Sequence, residues 1–107
     1  MARRPMDSKW EAFGAHLADA PGRLPVEVRR SIRARASGAQ EAAGVPDDLA
    51  GFVELVAERS YRITEKNIAT LAAAGRGDDE IFEAAVVAAY GAADRRLRAA
   101  RRSWEER

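Results

Sequence analysis

Apolar residues recur every three or four positions along several segments of this chain, which is the period of an α-helix. No segment shows the alternation of apolar and polar residues, rich in β-branched side chains, that is typical of a β-strand. The pattern therefore predicts an all-α fold with about five or six helices. We expect residues 1–107 to form a single domain, with N-terminal helices in 1–45 and a helical core in 46–107.

Two helices are predicted in the N-terminal half. Ser8 and Glu11 have the spacing of a capping box, so the first helix is expected to start at Ser8. Its apolar face would consist of Trp10, Phe13 and Leu17. Pro25 suits the first turn of the second helix, and Gly38 suits its C-terminal cap. The apolar stripe of this second helix is narrow, so we expect it to pack at the periphery; the stripe consists of Val28, Ile32 and Ala36.

A longer buried helix is predicted to follow. Asp47 and Asp48 place negative charge at its N-terminus, where the helix dipole favours it. Its apolar face is expected to continue for about four turns, through Leu49, Phe52, Val53, Val56, Ser60 and Ile63. Thr64 can then cap a short helix, which Gly75 closes.

The last helix is predicted to begin at three acids, Asp78, Asp79 and Glu80, and to continue to the end of the chain. Its apolar stripe consists of Phe82, Val86, Ala89, Ala93, Leu97, Ala100 and Trp104. Such a helix would be about 40 Å long, whereas a compact domain of this size has a diameter of about 26 Å. Its C-terminal third is therefore expected to protrude, to fray or to pack on another subunit.

Composition and charge exclude several classes of function. The chain has no cysteine, which rules out disulfides, thiol chemistry and thiolate metal sites within it. With 18 basic and 17 acidic residues, no overall field attracts it to nucleic acid or to an anionic membrane. No secretory signal or membrane span is evident, so we expect a cytoplasmic protein. The sequence predicts no cofactor and no metal.

Residues 48–97 combine a buried helix, a short helix ending at Gly75, an acidic helix start and a helix rich in small residues. This unit, above all "AAGRGDDEIFEAAVVAAYGAADRRL", resembles the carboxymuconolactone decarboxylase and alkylhydroperoxidase D-like superfamily. Redox members have a Cys-x-x-Cys-x-x-x-His motif about eight residues before the glycine. Counting back from Gly75 places Ser60, Ile63 and Asn67 at those positions. The resemblance implies an oligomeric helical bundle, a trimer or hexamer, with a ligand pocket at these three residues.

The residues at the motif positions cannot perform thiol chemistry. Peroxidase activity in the superfamily depends on attack by a thiolate, and a serine at neutral pH is neither ionised nor polarisable enough to replace it. We therefore expect no thiol peroxidase activity. The first hypothesis is a non-redox member of this superfamily, a small oligomeric binding or structural protein, in which the residues flanking Ile63 form an interior helical layer.

A second hypothesis is a lyase or isomerase, similar to the decarboxylase branch, that acts on a small organic acid. Its candidate catalytic residues are Glu58, Tyr61 and His16. Each also has an ordinary structural interpretation. Glu58 and Arg62 have the spacing of an exposed helix ion pair, and His16 lies at the edge of the first helix's apolar face.

A third hypothesis is binding of nucleic acid or a protein partner through arginine. The candidate arginines are Arg29, Arg30, Arg33, Arg35, Arg95, Arg96, Arg98, Arg101 and Arg102. The interspersed acids favour a solvated face instead. A helix-turn-helix around Gly75 is disfavoured as well, because its recognition helix would start with three acids that repel phosphates. Nucleic acid is therefore not the expected partner.

Overall fold

The computed structural model describes residues 5–39 and 44–106 of the chain. This part contains five α-helices, one short 3-10 helix and no β-strand, which confirms the all-α prediction. The α-helices are α1 (Pro5–Asp19), α2 (Val26–Ala36), α3 (Asp47–Arg59), α4 (Glu65–Ala73) and α5 (Asp78–Glu105), and the 3-10 helix spans Ser60–Arg62. No helix among the described residues is both long and apolar enough to cross a membrane.

Helix α5 is the axis on which the other elements pack. Helix α1 runs antiparallel to it, since Trp10 bonds Asp94 while the loop after α1, at Arg23, bonds Glu83. Helix α2 runs in the same direction as α5, since Leu24 before it bonds Glu83 and Gly38 after it lies beside Arg95. Helix α3 does so as well, since Asp48 bonds Arg76 and Glu58 bonds Arg95. The 28 residues of α5 span about 42 Å at 1.5 Å per residue, most of the 49 Å length of the molecule. Residues 102–106 are exposed, so α5 extends beyond the core as its length predicts.

The hydrophobic core lies between α2, α3 and one face of α5. Its four largest fully buried side chains are Leu24, Ile32, Leu49 and Val53. Helix α5 contributes Ile81, Ala84, Val87, Ala88 and Ala92 to it, and three of these five residues are alanines. Small side chains on α5 allow two other helices to approach its backbone, which compensates for the few large apolar residues in the chain.

The expectation that α2 packs at the periphery is wrong. Ile32 is fully buried, and the backbone of α2 passes very close to Gly91 of α5. A Cβ at Gly91 would lie 2.5 Å from the carbonyl oxygen of Arg33 and 3.0 Å from the Cβ of Ala36. The narrow stripe of α2 therefore does not indicate peripheral packing, because Gly91 and Ala36 let the two helix backbones approach closely.

The predicted C-terminal glycines of α2 and α4 are confirmed, whereas the predicted start of α1 is wrong. Gly38 and Gly75 have φ values of 92° and 99°, which a residue with a side chain rarely adopts. Each ends its helix in a Schellman motif; after α4, the N–H of Arg76 donates to the carbonyl of Leu71 at 3.1 Å. Ser8, predicted as the first cap, lies inside α1 instead.

The apolar stripe predicted for the last helix lies on the side of α5 away from the core. Phe82 is 70% exposed and Trp104 is 53% exposed, whereas Ile81 and Ala84 are buried. We call this stripe the outer face of α5; it consists of Phe82, Val86, Ala89, Ala93, Leu97, Ala100 and Trp104. The helix is thus apolar on two opposite sides.

Candidate functional site

The three motif positions taken from the resemblance lie around an open turn. Helix α3 ends at Arg59, and Ser60 begins the 3-10 helix that follows. Ser60 is exposed, Tyr61 is 81% exposed, and Ile63 is half-buried at the edge of the core. The expected interior helical layer is therefore not formed by this segment.

Asn67, at the position of the motif histidine, caps α4. The backbone N–H of Thr64 donates to Asn67 Oδ1 at 2.7 Å, and the Thr64 hydroxyl donates to the same oxygen at 3.0 Å. This capping box confirms Thr64 as the N-cap and requires an extended backbone there, with φ of −124°. Helix α3 ends earlier, at Arg59, where φ is −146° and ψ is 50°, and it therefore does not continue through Ile63.

The structure does not bring the three catalytic candidates together. Glu58 accepts a hydrogen bond from Arg95 at 2.8 Å rather than pairing with Arg62. His16 is exposed on α1, which contacts α2 and α5 but, within the described residues, neither α3 nor the 3-10 helix that contains Tyr61. A general acid and base must both reach one substrate, and this arrangement separates them. No group of three potential metal ligands occurs in 5–39 or 44–106.

An aromatic cluster between α1 and α5 was not predicted. The Trp10 and Tyr90 rings stack with centroids 4.4 Å apart, and the Arg33 guanidinium lies 4.9 Å from the Tyr90 centroid. The Tyr90 hydroxyl donates to the Trp10 carbonyl at 2.9 Å, and Trp10 Nε1 donates to Asp94 at 2.8 Å. Gly14 makes room for the ring, since a Cβ there would meet the Tyr90 hydroxyl. The cluster joins α1 to α5.

Tyr90 is a structural residue in this cluster. Burial raises the pKa of its hydroxyl above the ordinary value of 10.0, although Arg33 acts in the opposite direction. A phenol with a raised pKa stays protonated and remains a hydrogen-bond donor at neutral pH. That state suits its bond to a backbone carbonyl and does not suit a general base.

A second polar cluster joins the start of α5 to the start of α3. Arg76 donates to both carboxylate oxygens of Asp48, at 2.7 and 2.9 Å, and to Glu80 at 2.9 Å. Glu80 also accepts from the Gly77 N–H at 3.1 Å. The hydrogen bond from Arg76 lowers the pKa of Asp48, and the bond from Gly77, followed by that from Arg76, lowers the pKa of Glu80.

These lowered pKa values predict how stability depends on pH. Both carboxylates stabilise the fold above their ordinary values of 3.8 and 4.5, and this contribution is lost as the pH falls through the lower folded-state values. We expect Arg76→Met to lower the free energy of unfolding at neutral pH. Its deficit relative to wild type should shrink below about pH 4, where the carboxylates become protonated.

Urea denaturation at neutral and acidic pH measures this deficit. Arg62→Met, on the exposed 3-10 helix, is the matched control and should change stability little at either pH. A deficit for Arg76→Met that stays constant with pH would show that the two carboxylates do not account for it.

Most of the arginines considered for phosphate binding make contacts within the fold. Arg29 is 4% exposed and bonds the carbonyls of Leu17 and Leu24. Others bond carboxylates or a carbonyl: Arg30 with Asp19, Arg95 with Glu58, Arg96 with the carbonyl of Ala57, Arg98 with Asp94, and Arg101 with Asp7. These contacts favour the interpretation as a paired, solvated face.

The outer face of α5 is the most unusual surface of the described chain. A helix on the surface of a globular protein normally presents polar residues opposite its core face, but here that side is apolar. Phe13 of α1, a second exposed aromatic residue at 49%, packs against Tyr90 with ring centroids 5.9 Å apart. Phe82, Ala89 and Trp104 of this face are exposed, and its other four members are half-buried. An apolar stripe that reaches solvent over this length is typical of an association surface. We therefore take the outer face as the candidate functional site.

Comparison of this chain with protein-family models, with curated proteins and with solved structures finds no match.

Proposed function

We propose that this chain is a non-enzymatic protein that self-associates through the outer face of α5 and acts as a small oligomeric binding or structural unit. The observation that supports this most directly is the exposure of Phe82 and Trp104 on a helix side opposite the core. Burial of a large apolar side chain stabilises an interface by about 1.5–3 kcal/mol. A second molecule provides such burial without any change of fold.

The arrangement of the polar residues also supports a non-catalytic role. Asn67 and Tyr90 are both engaged in structural hydrogen bonds, and Glu58 is paired with Arg95. The relation to the alkylhydroperoxidase D-like superfamily stays a proposal, and so does a trimeric or hexameric state. Self-association through α5 does not depend on that relation, since the exposed apolar residues of this chain support it by themselves.

Sedimentation velocity across a dilution series tests the proposal. We expect the wild-type chain to sediment as a species heavier than its 11.7 kDa monomer. The double variant Phe82→Ser, Leu97→Ser should sediment as a monomer, because it removes two of the large apolar side chains of the outer face. Its circular dichroism spectrum should match that of wild type, since neither residue belongs to the hydrophobic core.

Tyr61→Ser is the matched control, because Tyr61 is an aromatic residue that is 81% exposed but lies on the 3-10 helix rather than on α5. It should leave the mass in solution unchanged. A wild-type chain that is monomeric at every concentration would contradict the proposal. If only the Tyr61→Ser control loses association, the contact surface lies at the 3-10 helix and not on α5.

A further inference from the structure

The outer face of α5 has a sequence pattern that is symmetric about Ala93. Phe82 and Trp104 lie eleven residues on either side of it. Val86 and Ala100 lie seven residues away, and Ala89 and Leu97 lie four residues away. Every member of the outer face other than Ala93 thus has an apolar counterpart at the same distance in the opposite direction. A helix with this pattern presents the same face when it is turned end for end.

From this symmetry we infer that a second copy of this chain binds antiparallel along the outer face, with a twofold axis at Ala93. The inference rests on the proposed function and specifies its partner and geometry. The twofold axis places the aromatic Phe82 opposite the aromatic Trp104 of the other copy. It also pairs a large side chain with an alanine at each intermediate layer, Val86 with Ala100 and Leu97 with Ala89. This alternation fills the space between two helices without overpacking.

The charge distribution along α5 favours the antiparallel orientation. Its first two turns contain only acidic charges, at Asp78, Asp79, Glu80 and Glu83. Its second half is mainly basic, with Arg95, Arg96, Arg98, Arg101 and Arg102. In the antiparallel register Glu83 of each helix faces Ser103 of the other and lies beside its Arg101 and Arg102, and the pair also opposes the two helix dipoles. A parallel pair would place like charges together.

The spacing of the apolar residues on the outer face suits a long contact between two helices. Phe82, Ala93 and Trp104 are spaced by eleven residues, and so are Val86 with Leu97 and Ala89 with Ala100. Eleven residues are close to three full turns of an α-helix, so the stripe drifts slowly around the helix, and a slight right-handed supercoil keeps two such stripes in contact. Ala93 at the centre lets the two backbones approach closely. The resulting contact is isologous, which closes as a dimer and can also serve as the twofold contact of a larger oligomer.

Cysteine cross-linking tests this geometry, because the chain has no native cysteine to interfere. Ala93→Cys and Ala89→Cys are a matched pair of alanine substitutions on the outer face. At the twofold axis, Ala93→Cys should form an intermolecular disulfide under mild oxidation at least about tenfold faster than Ala89→Cys. In the antiparallel register two copies of position 89 are eight residues apart along the axis, or about 12 Å, which is too far for a disulfide.

A mixture of Ala89→Cys and Leu97→Cys gives an independent readout, since these positions face each other across the axis. It should yield mainly the mixed disulfide dimer, and neither variant alone should cross-link as fast. Circular dichroism of each variant verifies the fold.

Fast self-cross-linking of Ala89→Cys in a chain that still sediments as an oligomer would overturn the antiparallel register and leave the proposed self-association intact. A wild-type chain that is monomeric in sedimentation would overturn both. Mixed cross-linking at 89 and 97 together with self-cross-linking at 93 supports both.

Discussion

Gly91→Ala should destabilise this protein, whereas Gly51→Ala should stabilise it, although both glycines lie inside α-helices. Alanine is favoured over glycine in a helix interior by about 1 kcal/mol. At Gly51 a Cβ would meet nothing within 4 Å, so the full preference should appear. At Gly91 the same Cβ would lie 2.5 Å from the Arg33 carbonyl oxygen of α2, closer than two such atoms can approach.

The loss at Gly91 should exceed the helix preference, because the obstructing atom belongs to the backbone. A flexible side chain can rotate away, but the Arg33 carbonyl moves only if the whole of α2 shifts away from α5. Overpacking of this kind costs about 1–3 kcal/mol, and a shift of α2 also disturbs the packing of Ile32, which is fully buried. We therefore expect Gly91→Ala to lower the free energy of unfolding by about 1–3 kcal/mol and Gly91→Val by more.

Urea denaturation of the three variants measures these changes. Alanine has the same intrinsic preference over glycine at both helical positions. The difference between the two changes in unfolding free energy therefore reports the contact between α2 and α5. Stabilisation by Gly91→Ala similar to that by Gly51→Ala would show that the two helices do not approach as closely as described.

The elements of this fold were predictable from sequence because their signals are local. Hydrophobic periodicity identified every helix, and the positive φ at Gly38 and Gly75 matches the residue type that tolerates it. The end of α3 was not predicted, because Ser60 and Ile63 continue the spacing of the preceding apolar residues. The helix breaks instead at Arg59, where φ is −146° and ψ is 50°, and hydrophobic spacing does not report such a change in the backbone.

The candidate surface was visible in the sequence as an apolar stripe, but the sequence did not show which side of the helix faces the core. Helix α5 has two apolar stripes, and periodicity alone does not tell which of them faces the core. The stripe with the largest side chains, Phe82 and Trp104, would ordinarily be expected to face the core, but it is the exposed one. The core side of α5 consists largely of alanines, which let α2 and α3 approach. The Tyr90 cluster was not predictable either, since it depends on how α1 meets α5. The eleven-residue spacing of Phe82, Ala93 and Trp104 was the feature of the sequence that indicated a second binding face on α5.

Arg29→Met should lower the free energy of unfolding by about 2–4 kcal/mol, far more than the same change at its neighbour Arg30. Arg29 is 4% exposed and donates to the carbonyls of Leu17 and Leu24 at 2.9 and 3.1 Å. The Leu17 carbonyl is one of the last four of α1, which have no partner within the helix and lie at the negative end of its dipole. The guanidinium thus joins the end of α1 to the start of α2.

Two opposing effects determine the size of this change. Methionine fills much of the same volume and removes the cost of burying a charge, which by itself would stabilise the protein. It also leaves two carbonyl oxygens without their donor, at about 1–3 kcal/mol for each one that stays away from water. We expect the second effect to be larger, because the acceptors are fixed backbone atoms that cannot turn outward without unwinding the end of α1.

Arg30→Met is the control, because Arg30 pairs with Asp19 at the surface, where the two side chains are 64% and 52% exposed. Exposed pairs of this kind contribute about 0–1 kcal/mol. Arg29→Lys should lie between wild type and Arg29→Met, since an ammonium keeps the charge but lacks the planar fork that reaches both carbonyls. If Arg29→Met proves as stable as wild type while Arg30→Met behaves as expected, the desolvation of the buried guanidinium cancels its hydrogen bonds, and the junction of α1 and α2 must depend on the burial of Leu24 instead.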